Sequence, residues 1–522
     1  MYQRSNQSGW REQRPQANCE AGQGLISGHF RPLSCLRGLT ILTLALGLAG
    51  CSSFSRYLEN GFKVGPQYGR PAAPVAETWI DATDSRVRSE STDDSQWWAS
   101  FNDPVLNGLV QDAYQQNLTL REAGYRVLEA RARYGISVGE LFPQEQTNVG
   151  GFATNGVSHN VANRQFTPDR WFPQWDYGFN MAWELDFWGR FRRAIESSEA
   201  TLDASIEQYD DVLVTMLGDV AQTYVLYRTL EQRIAYAEEN VRIQQKILEL
   251  ATARYKGGQT SELDVNQSQS DLSNTESLIP RLRITQREAN NRLCILLGMP
   301  PENLQQRLGT GPIPSASDAV VVDIPAALIR RRPDVRSAER EAAAQCAQIG
   351  IAEADFYPQV FVDGSMGWSS QNLSNLFTGD SFQGSVGPAF RWRILNYGRI
   401  LNNMRGQDAK FQQLATAYQQ TVLRANEEVE NGLVRFLESQ EEAKLLTESV
   451  NAAKKAVDEA IAQYQGGLTD FNRVAVLQER LVQRQEQLAQ SQGEIAFGLV
   501  RVYRALGGGW QIRMENPAVS EL

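Results

Sequence analysis

From Arg190 to Tyr255 the chain contains no proline and a single glycine, Gly218. Apolar residues recur there at Leu202, Ile206, Tyr209, Leu213, Met216 and Val220, the alternating four–three spacing of packed helices. At ~1.5 Å per residue this predicts one helix roughly 100 Å long, and few folds need one of that length. The stretch before it has a different period. Tyr177, Phe179, Met181, Trp183, Leu185 and Phe187 alternate with Gly178, Asn180, Ala182, Glu184 and Asp186, which predicts a strand with one apolar face. Tyr255-Lys256-Gly257-Gly258 closes the unit.

The same unit returns downstream. Phe382, Gly384, Val386, Pro388, Phe390, Trp392 and Ile394 line one strand face, and Tyr397-Gly398-Arg399 opens a second long helical pattern that ends at Tyr464-Gln465-Gly466-Gly467. Gly189 and Gly398 are 209 residues apart, as are Tyr255 and Tyr464. Phe142-Pro143-Gln144 and Tyr357-Pro358-Gln359 are 215 apart, so the first copy carries a hairpin six residues longer. Equal offsets at that distance identify a tandem duplication of strand–strand–long helix–turn–helix.

Composition narrows the function classes. The only histidines are His29 and His159, which nearly excludes histidine-based metal sites and acid–base catalysis. Residues 1–50 carry a net +3, so the −10 of the whole chain becomes −13 without them, a balance that disfavours nucleic-acid partners. Cys294 and Cys346 stand in helical patterns without metal-ligand spacing and read as small buried apolar residues.

In chain order, Arg31 and Arg37 precede an apolar run, Leu39 to Leu48, and then Leu48-Ala49-Gly50-Cys51-Ser52-Ser53. That is a secretion signal over 1–50, too short in its apolar part to span a bilayer. Residues 51–102 read as an extended segment along the body. The first repeat, 103–297, opens with a helical pair broken at Asn117-Leu118-Thr119-Leu120. A hairpin (144–187), the long helix (190–255) and a return helix (260–297) follow. A Pro-rich linker, 298–323, leads to the second repeat, 324–506, where Arg332-Pro333-Asp334 marks the matching break. Its hairpin is 359–394, its long helix 398–464 and its return helix 469–506, with a C-terminal tail over 507–522. Each strand approaches the ~9–11 residues that cross a bilayer when tilted. Four strands cannot enclose a passage, and open edges are not tolerated in lipid, so either the sheet is soluble or several chains pool their strands. Three chains would supply twelve.

The lipobox-like Leu-Ala-Gly-Cys, Trp183-Glu184-Leu185-Asp186-Phe187-Trp188-Gly189-Arg190, Arg331-Arg332-Pro333-Asp334-Val335 and the paired Tyr-x-Gly-Gly tips together resemble the TolC-like outer-membrane efflux factors, in particular the NodT-type lipoprotein branch serving resistance–nodulation–division pumps. The resemblance covers about residues 60–510. It implies an α+β membrane channel, a homotrimer whose 12-stranded outer-membrane β-barrel (four strands per chain) continues into a long periplasmic α-helical barrel. It also implies lipidation at Cys51, insertion into outer-membrane lipid, and partners in a periplasmic adaptor and an inner-membrane transporter, with no cofactor.

No reaction chemistry is expected, so the positions of interest are a gate and a wall. In the family the periplasmic end closes beside the tip turns, which here places Tyr255, Asp264, Tyr464, Asp470 and Arg473 as gate candidates. Gly257, Gly258, Gly466 and Gly467 become adaptor-docking candidates. Asp264 and Arg473 are equivalent positions of the two copies, and a charge contact holding the closed tip is one reading. The bland one is capping, since Ser261-x-x-Asp264 reads as a capping box and a first-turn carboxylate suits the helix dipole. Glu184, Asp186, Arg391 and Arg393 are candidates for the lumen wall, with Glu184 and Arg393 again equivalent and a salt bridge between them the sharper possibility. Trp171, Trp175, Tyr177, Trp183 and Trp188 suit interfacial aromatic girdles. The rivals are a type I secretion exit duct and a non-conducting periplasmic coiled-coil scaffold; an envelope enzyme would need a carboxylate cluster that the spacing does not provide.

Overall fold

The computed structural model describes residues 55, 57–88, 95–160, 162, 169–315, 319–322, 325–327 and 331–515. The leader, Cys51 and the last residues of the tail lie outside the described residues. In chain order the elements are β1 (Val87–Arg88), α1 (Pro104–Gln116), α2 (Leu118–Gly139), β2 (Glu145–Gly156), β3 (Trp171–Leu185), α3 (Arg190–Lys256) and α4 (Glu262–Leu296). The second half contains α5 (Gln305–Leu308), β4 (Val320–Val321), α6 (Pro333–Ala354), β5 (Gln359–Ser370), β6 (Phe382–Arg391), α7 (Arg399–Gln465), α8 (Phe471–Ala505) and α9 (Ile512–Glu515). α3 and α7 are each 67 residues long, and α4 and α8 each 35. Among the described residues no helix is long and apolar enough to cross a membrane.

The chain divides into two compact units, one drawn from Met1–Ala72, Leu128–Ser205 and Ala338–Gln419, the other from Ala73–Val127, Ile206–Ser337 and Gln420–Leu522. The first holds a four-stranded antiparallel sheet in the order β2-β3-β5-β6, so the two hairpins lie side by side and β2 and β6 are each paired on one edge only. The register sorts the side chains by polarity. Tyr177 faces Trp368, Phe179 faces Met366 and Trp183 faces Val362, while on the other surface Asn180, Ser365 and Ser385 form one row. The Ser365 and Ser385 hydroxyls are 3.1 Å apart, and Gln174 donates to both oxygens of Asp176 at 3.0 Å. A sheet polar on one face and aromatic on the other, with Phe382, Val386 and Phe390 exposed, suits lipid on one side and water on the other.

The duplication is visible in contacts as well as spacing. Trp183 Nε1 donates to the Leu141 carbonyl at 3.2 Å, and its equivalent Trp392 donates to the Phe356 carbonyl at 2.9 Å. In the first unit, Ala342, Cys346, Ile349 and Phe411 form a buried cluster. The segment around 64–70 is strapped onto the same unit, since the buried Arg193 donates to the carbonyls of Val64 (3.0 Å) and Gly65 (3.1 Å).

The second unit is built on the remaining parts of the long helices with α4 and α8. α8 packs between α3 and α7. Gly493 lies against Thr229 of α3, and Gly498 lies so close to Phe436 of α7 that an added Cβ would come within 2.9 Å of its Cα. A buried polar layer fixes the register of α8 on α3, with Asn240 donating to Gln485 at 2.6 Å and accepting from Gln478 at 3.0 Å. Asp103 caps α1 through the backbone N–H groups of Val105 and Leu106, and accepts from the Tyr224 hydroxyl at 2.8 Å.

Several expectations change. The break between α1 and α2 is Asn117 alone, whose carboxamide accepts from Leu120 N–H and donates to the Leu296 carbonyl at 2.8 Å, holding a one-residue corner. β3 begins at Trp171 rather than Tyr177, and β6 ends at Arg391, so Arg393 lies beyond the sheet. The segment preceding 103 is not all extended: Trp97–Phe101 is a 3-10 turn whose aromatic side chains are buried, with Trp97 stacked on Tyr503 at 5.6 Å. The tail is packed as far as α9. Gly507–Gly509 are buried, and Arg513 makes a two-point contact with buried Asp210 at 2.7 and 2.9 Å. Arg336 lies over the Trp510 ring at 4.4 Å. Polarity patterns predict strands and helices but not an arginine paired with a carboxylate some 300 residues away.

Candidate functional site

Both long helices end in the same backbone device. At the first tip Gly258 N–H donates to the Tyr255 carbonyl (2.9 Å) and Gln259 N–H to the Arg254 carbonyl (2.9 Å). At the second, Gly467 donates to Tyr464 (3.1 Å) and Leu468 to Gln463 (2.9 Å). These are the paired bonds of a Schellman cap, which needs a left-handed residue, and Gly258 (φ 68°) and Gly467 (φ 73°) supply it. Gly257 and Gly466 precede them and are exposed, so the two turns present bare backbone to solvent.

Beneath this shared frame the tips differ. Tyr464 is 2% exposed, inside a cluster with Ile247, Ala460, Phe471 and Val474, whereas its equivalent Tyr255 is 44% exposed. The Tyr464 ring meets Phe471 edge-on at 5.7 Å and carries the Arg254 guanidinium on its face at 4.5 Å. Its hydroxyl donates to Asp264 Oδ2 at 3.3 Å, the same oxygen that accepts from Thr260 Oγ1. Burial is the main cause raising the Tyr464 pKa, so the phenol remains a proton donor to that carboxylate. Arg254, Tyr464, Asp264 and Thr260 thus tie the end of α3, the end of α7 and the start of α4 into one knot. Two guanidinium nitrogens of Arg254, Nε and Nη1, are buried without a hydrogen-bond partner, so the cation is held mainly by the ring below it.

The capping expectation divides between the copies. Asp470 does cap α8, accepting from the Arg473 N–H at 3.0 Å. Ser261, its counterpart, makes no side-chain cap bond, and the Asp264 carboxylate is turned to Thr260 and Tyr464. Arg473 is exposed, and its guanidinium forms no ion pair among the described residues, so the two equivalent charges are not joined within one chain.

The expected wall residues separate as well. Asp186 does not line a polar face. Its carboxylate accepts from the backbone N–H groups of Phe191 (3.0 Å) and Arg192 (3.1 Å) and from Arg192 Nε (2.8 Å), closing the open start of α3. Glu184 pairs with Arg190 at 3.4 Å rather than with Arg393. Arg391 lies 5.2 Å from the Phe361 ring, and Arg393 is exposed. Arg254 and Thr260 are the participants that sequence reading missed. The signal was available for Arg254: its equivalent is Gln463, so only one copy carries a cation just before its tip tyrosine.

Comparison with known proteins agrees with this geometry. The family model for outer membrane efflux proteins matches residues 109–299 and 324–508, one segment in each copy. Nodulation protein T of Rhizobium leguminosarum bv. trifolii is 28% identical over 88% of this chain and 96% of that protein. Outer membrane protein OprJ of Pseudomonas aeruginosa is 28% identical over 91% of this chain and 96% of its own length. Among solved structures, the outer-membrane channel OprN superposes with a TM-score of 0.81 at 32% identity, covering 86% of this chain and 99% of that one. CusC, at 24% identity and a TM-score of 0.74, shares the fold. The chain belongs to the outer membrane efflux protein family.

Proposed function

We propose that this chain, as a homotrimer, forms the outer-membrane exit channel of a tripartite efflux pump and passively conducts small molecules from an inner-membrane transporter through a periplasmic adaptor. The observation that carries this reading is the sheet. Its four strands have an aromatic face and two unpaired edges, an arrangement that lipid does not permit in a lone chain. Three copies joined β2 to β6 give twelve strands and no edge, a closed barrel with the polar rows inside. Two 67-residue helices, each about 100 Å at ~1.5 Å per residue, supply the periplasmic tunnel. Cys51 is the acylation site, adding a lipid anchor to the barrel. Transport here is conduction, with the chemistry left to the inner-membrane partner.

In this reading the tips are both latch and dock. The exposed turns at Gly257-Gly258 and Gly466-Gly467 receive the adaptor, while the Arg254–Tyr464–Asp264 knot holds the end of α7 inward. Arg473 and Asp470 lie at the rim, where Arg473 is available to a neighbouring copy. Glu184, Arg391 and Arg393 mark the sheet end nearest the helices. The test is native mass spectrometry of the mature protein together with planar-bilayer currents. A trimer with discrete ion currents supports the reading, and a monomer without currents refutes it. Drug sensitivity of a deletion strain then reports the exported class.

A further inference from the structure

The second unit contains a polar cavity of about 600 Å³ that none of the roles above uses. Its walls come from α3, the start of α6, α7 and the end of α8, all within one chain. Along α3 the lining residues Asp211, Thr215 and Gln222 are spaced four and seven apart, which keeps them on one helix face. Eleven residues separate the first from the last, a rise of roughly 16 Å at ~1.5 Å per residue, so the cavity is elongated. α8 runs antiparallel to α3, since Gly218 lies against Arg504 and Gly493 against Thr229. Arg501, one turn before Arg504, therefore stands level with Gln222, at the far end from Asp211.

The ion pairs around the cavity leave one charge of each sign unmatched. Arg332, itself buried, reaches Asp334 through Nη2 at 2.7 Å and Glu428 through Nη1 at 2.7 Å. Arg504 pairs with Asp219 at 3.4 Å. Asp211 is half-buried, yet its carboxylate accepts no hydrogen bond and joins no ion pair among the described residues. The exposed Arg501 guanidinium has no partner among them either. Thr215, Gln222 and Asn431 also make no side-chain hydrogen bond there, so neutral donors and acceptors line the wall between the two charges.

The cavity is thus bipolar. At one end Asp211, Asp334 and Glu428 meet the single guanidinium of Arg332, and toward the other stand Arg501 and Arg504. We infer that it binds a small elongated zwitterion, with an ammonium on Asp211 and a carboxylate on Arg501. A lone anion would meet the excess of carboxylates, and a lone cation would leave Arg501 unanswered. An extended molecule carrying both charges gives each a charge-assisted hydrogen bond and sets a polar middle against Thr215 and Asn431. Burial is the main cause lifting the Asp211 carboxyl to about 6, with Asp334 and Glu428 adding to it and Arg332 and Arg504 opposing. At neutral pH the group is therefore ionised, and the ligand's ammonium supplies the counter-charge it lacks. The site needs neither three copies nor conduction, so its test is separate from that of the exit channel.

The probe is triglycine, whose charged ends stand ~10 Å apart when the peptide is extended. In equilibrium dialysis the radiolabelled peptide should bind the detergent-extracted full-length protein saturably, at one site per chain. N-acetyl-triglycine lacks the cation and triglycinamide lacks the carboxylate, and each should bind about tenfold more weakly or worse. Asp211→Asn should make triglycine and its N-acetyl form bind alike, and Arg501→Gln should do the same for triglycine and its amide. Affinity in the unaltered protein should fall as pH drops through about 6, where Asp211 takes up a proton, and stay level in Asp211→Asn. Absence of saturable binding, or binding that either substitution leaves unchanged, overturns the site.

Discussion

The two return helices are sisters of equal length with different burial. α8 buries 15 of its 35 residues, and α4 buries 8. Position by position the difference follows what each helix meets. Gly493 and Gly498 let α8 approach Thr229 and the backbone of Phe436, while their equivalents on α4 are the exposed Ile284 and the ordinary Ala289. α4 also carries Pro280, which removes one backbone bond from its interior, where α8 has the fully buried Ala489. Duplication thus supplies two versions of one helix with different surroundings.

The largest expected effect concerns the ends of the two repeats. After α4 the chain passes through Gly298 into the linker, but after α8 it folds back to place Arg513 on Asp210, whose side chain is 1% exposed. Arg513→Ala strands that carboxylate, with only Arg336 left at 3.6 Å, and should lower stability by about 3–5 kcal/mol in urea unfolding. A change within ~0.5 kcal/mol would show that the C-terminal anchor is ornamental.

Exchanging the equivalent helix residues comes next. Gly493→Ile puts a side chain where even a Cβ would meet Thr229 Oγ1 at 2.5 Å, and should cost about 1–3 kcal/mol or more through overpacking. Ile284→Gly, at the exposed equivalent position, should cost only about 1 kcal/mol of helix propensity. Equal losses in both variants would erase the distinction between the two return helices.

The tips give a smaller and more local contrast. Tyr464→Phe removes the hydroxyl that Asp264 accepts, at a cost of about 1 kcal/mol, and should raise the channel's open fraction in bilayer recordings. Tyr255→Phe, at the exposed equivalent, should leave the currents unchanged. Asp264→Lys should open the tip further than Tyr464→Phe does, since it replaces the shared acceptor with a cation beside Arg254. Identical traces for the two tyrosine variants would remove the knot from gating.

The smallest effect separates the long helices. α3 has Asp211 where α7 has Gln420. Burial is the main cause that lifts the Asp211 carboxyl from 3.8 to about 6, with Asp334 adding to it and Arg332 and Arg504 opposing. A carboxyl raised on folding contributes most when protonated in both states, below its ordinary value near 3.8, and loses that contribution as pH rises through about 6. Asp211→Asn should therefore stabilise the protein at neutral pH by about 1–3 kcal/mol, with the gain vanishing below about pH 4. A gain independent of pH would assign the effect to something other than ionisation.

Much of this architecture is readable from periodicity. The 209-residue offset, the two long helices, three of the four strands and the glycine tips follow from apolar spacing and from the turn chemistry of Gly258 and Gly467, whereas β2, Glu145–Gly156, has no apolar alternation to announce it. What periodicity misses is long-range pairing between polar side chains. Asp264 looks like a cap because Ser261 precedes it by three residues, yet its oxygen is drawn to Tyr464, 200 residues away. Asp186 looks like a wall residue because it alternates with aromatic neighbours, yet the strand ends at Leu185 and the open N–H groups of α3 claim it. In both cases a local rule was overridden by a donor that sequence distance conceals.

One chain cannot wall a passage, and three complete it. The most direct measurement of this is the subunit count of the detergent-extracted mature protein by native mass spectrometry, read alongside single-channel current from the same sample. Three chains and a discrete conductance are expected. A single chain, or a trimer that passes no ions under any tip variant, would contradict it.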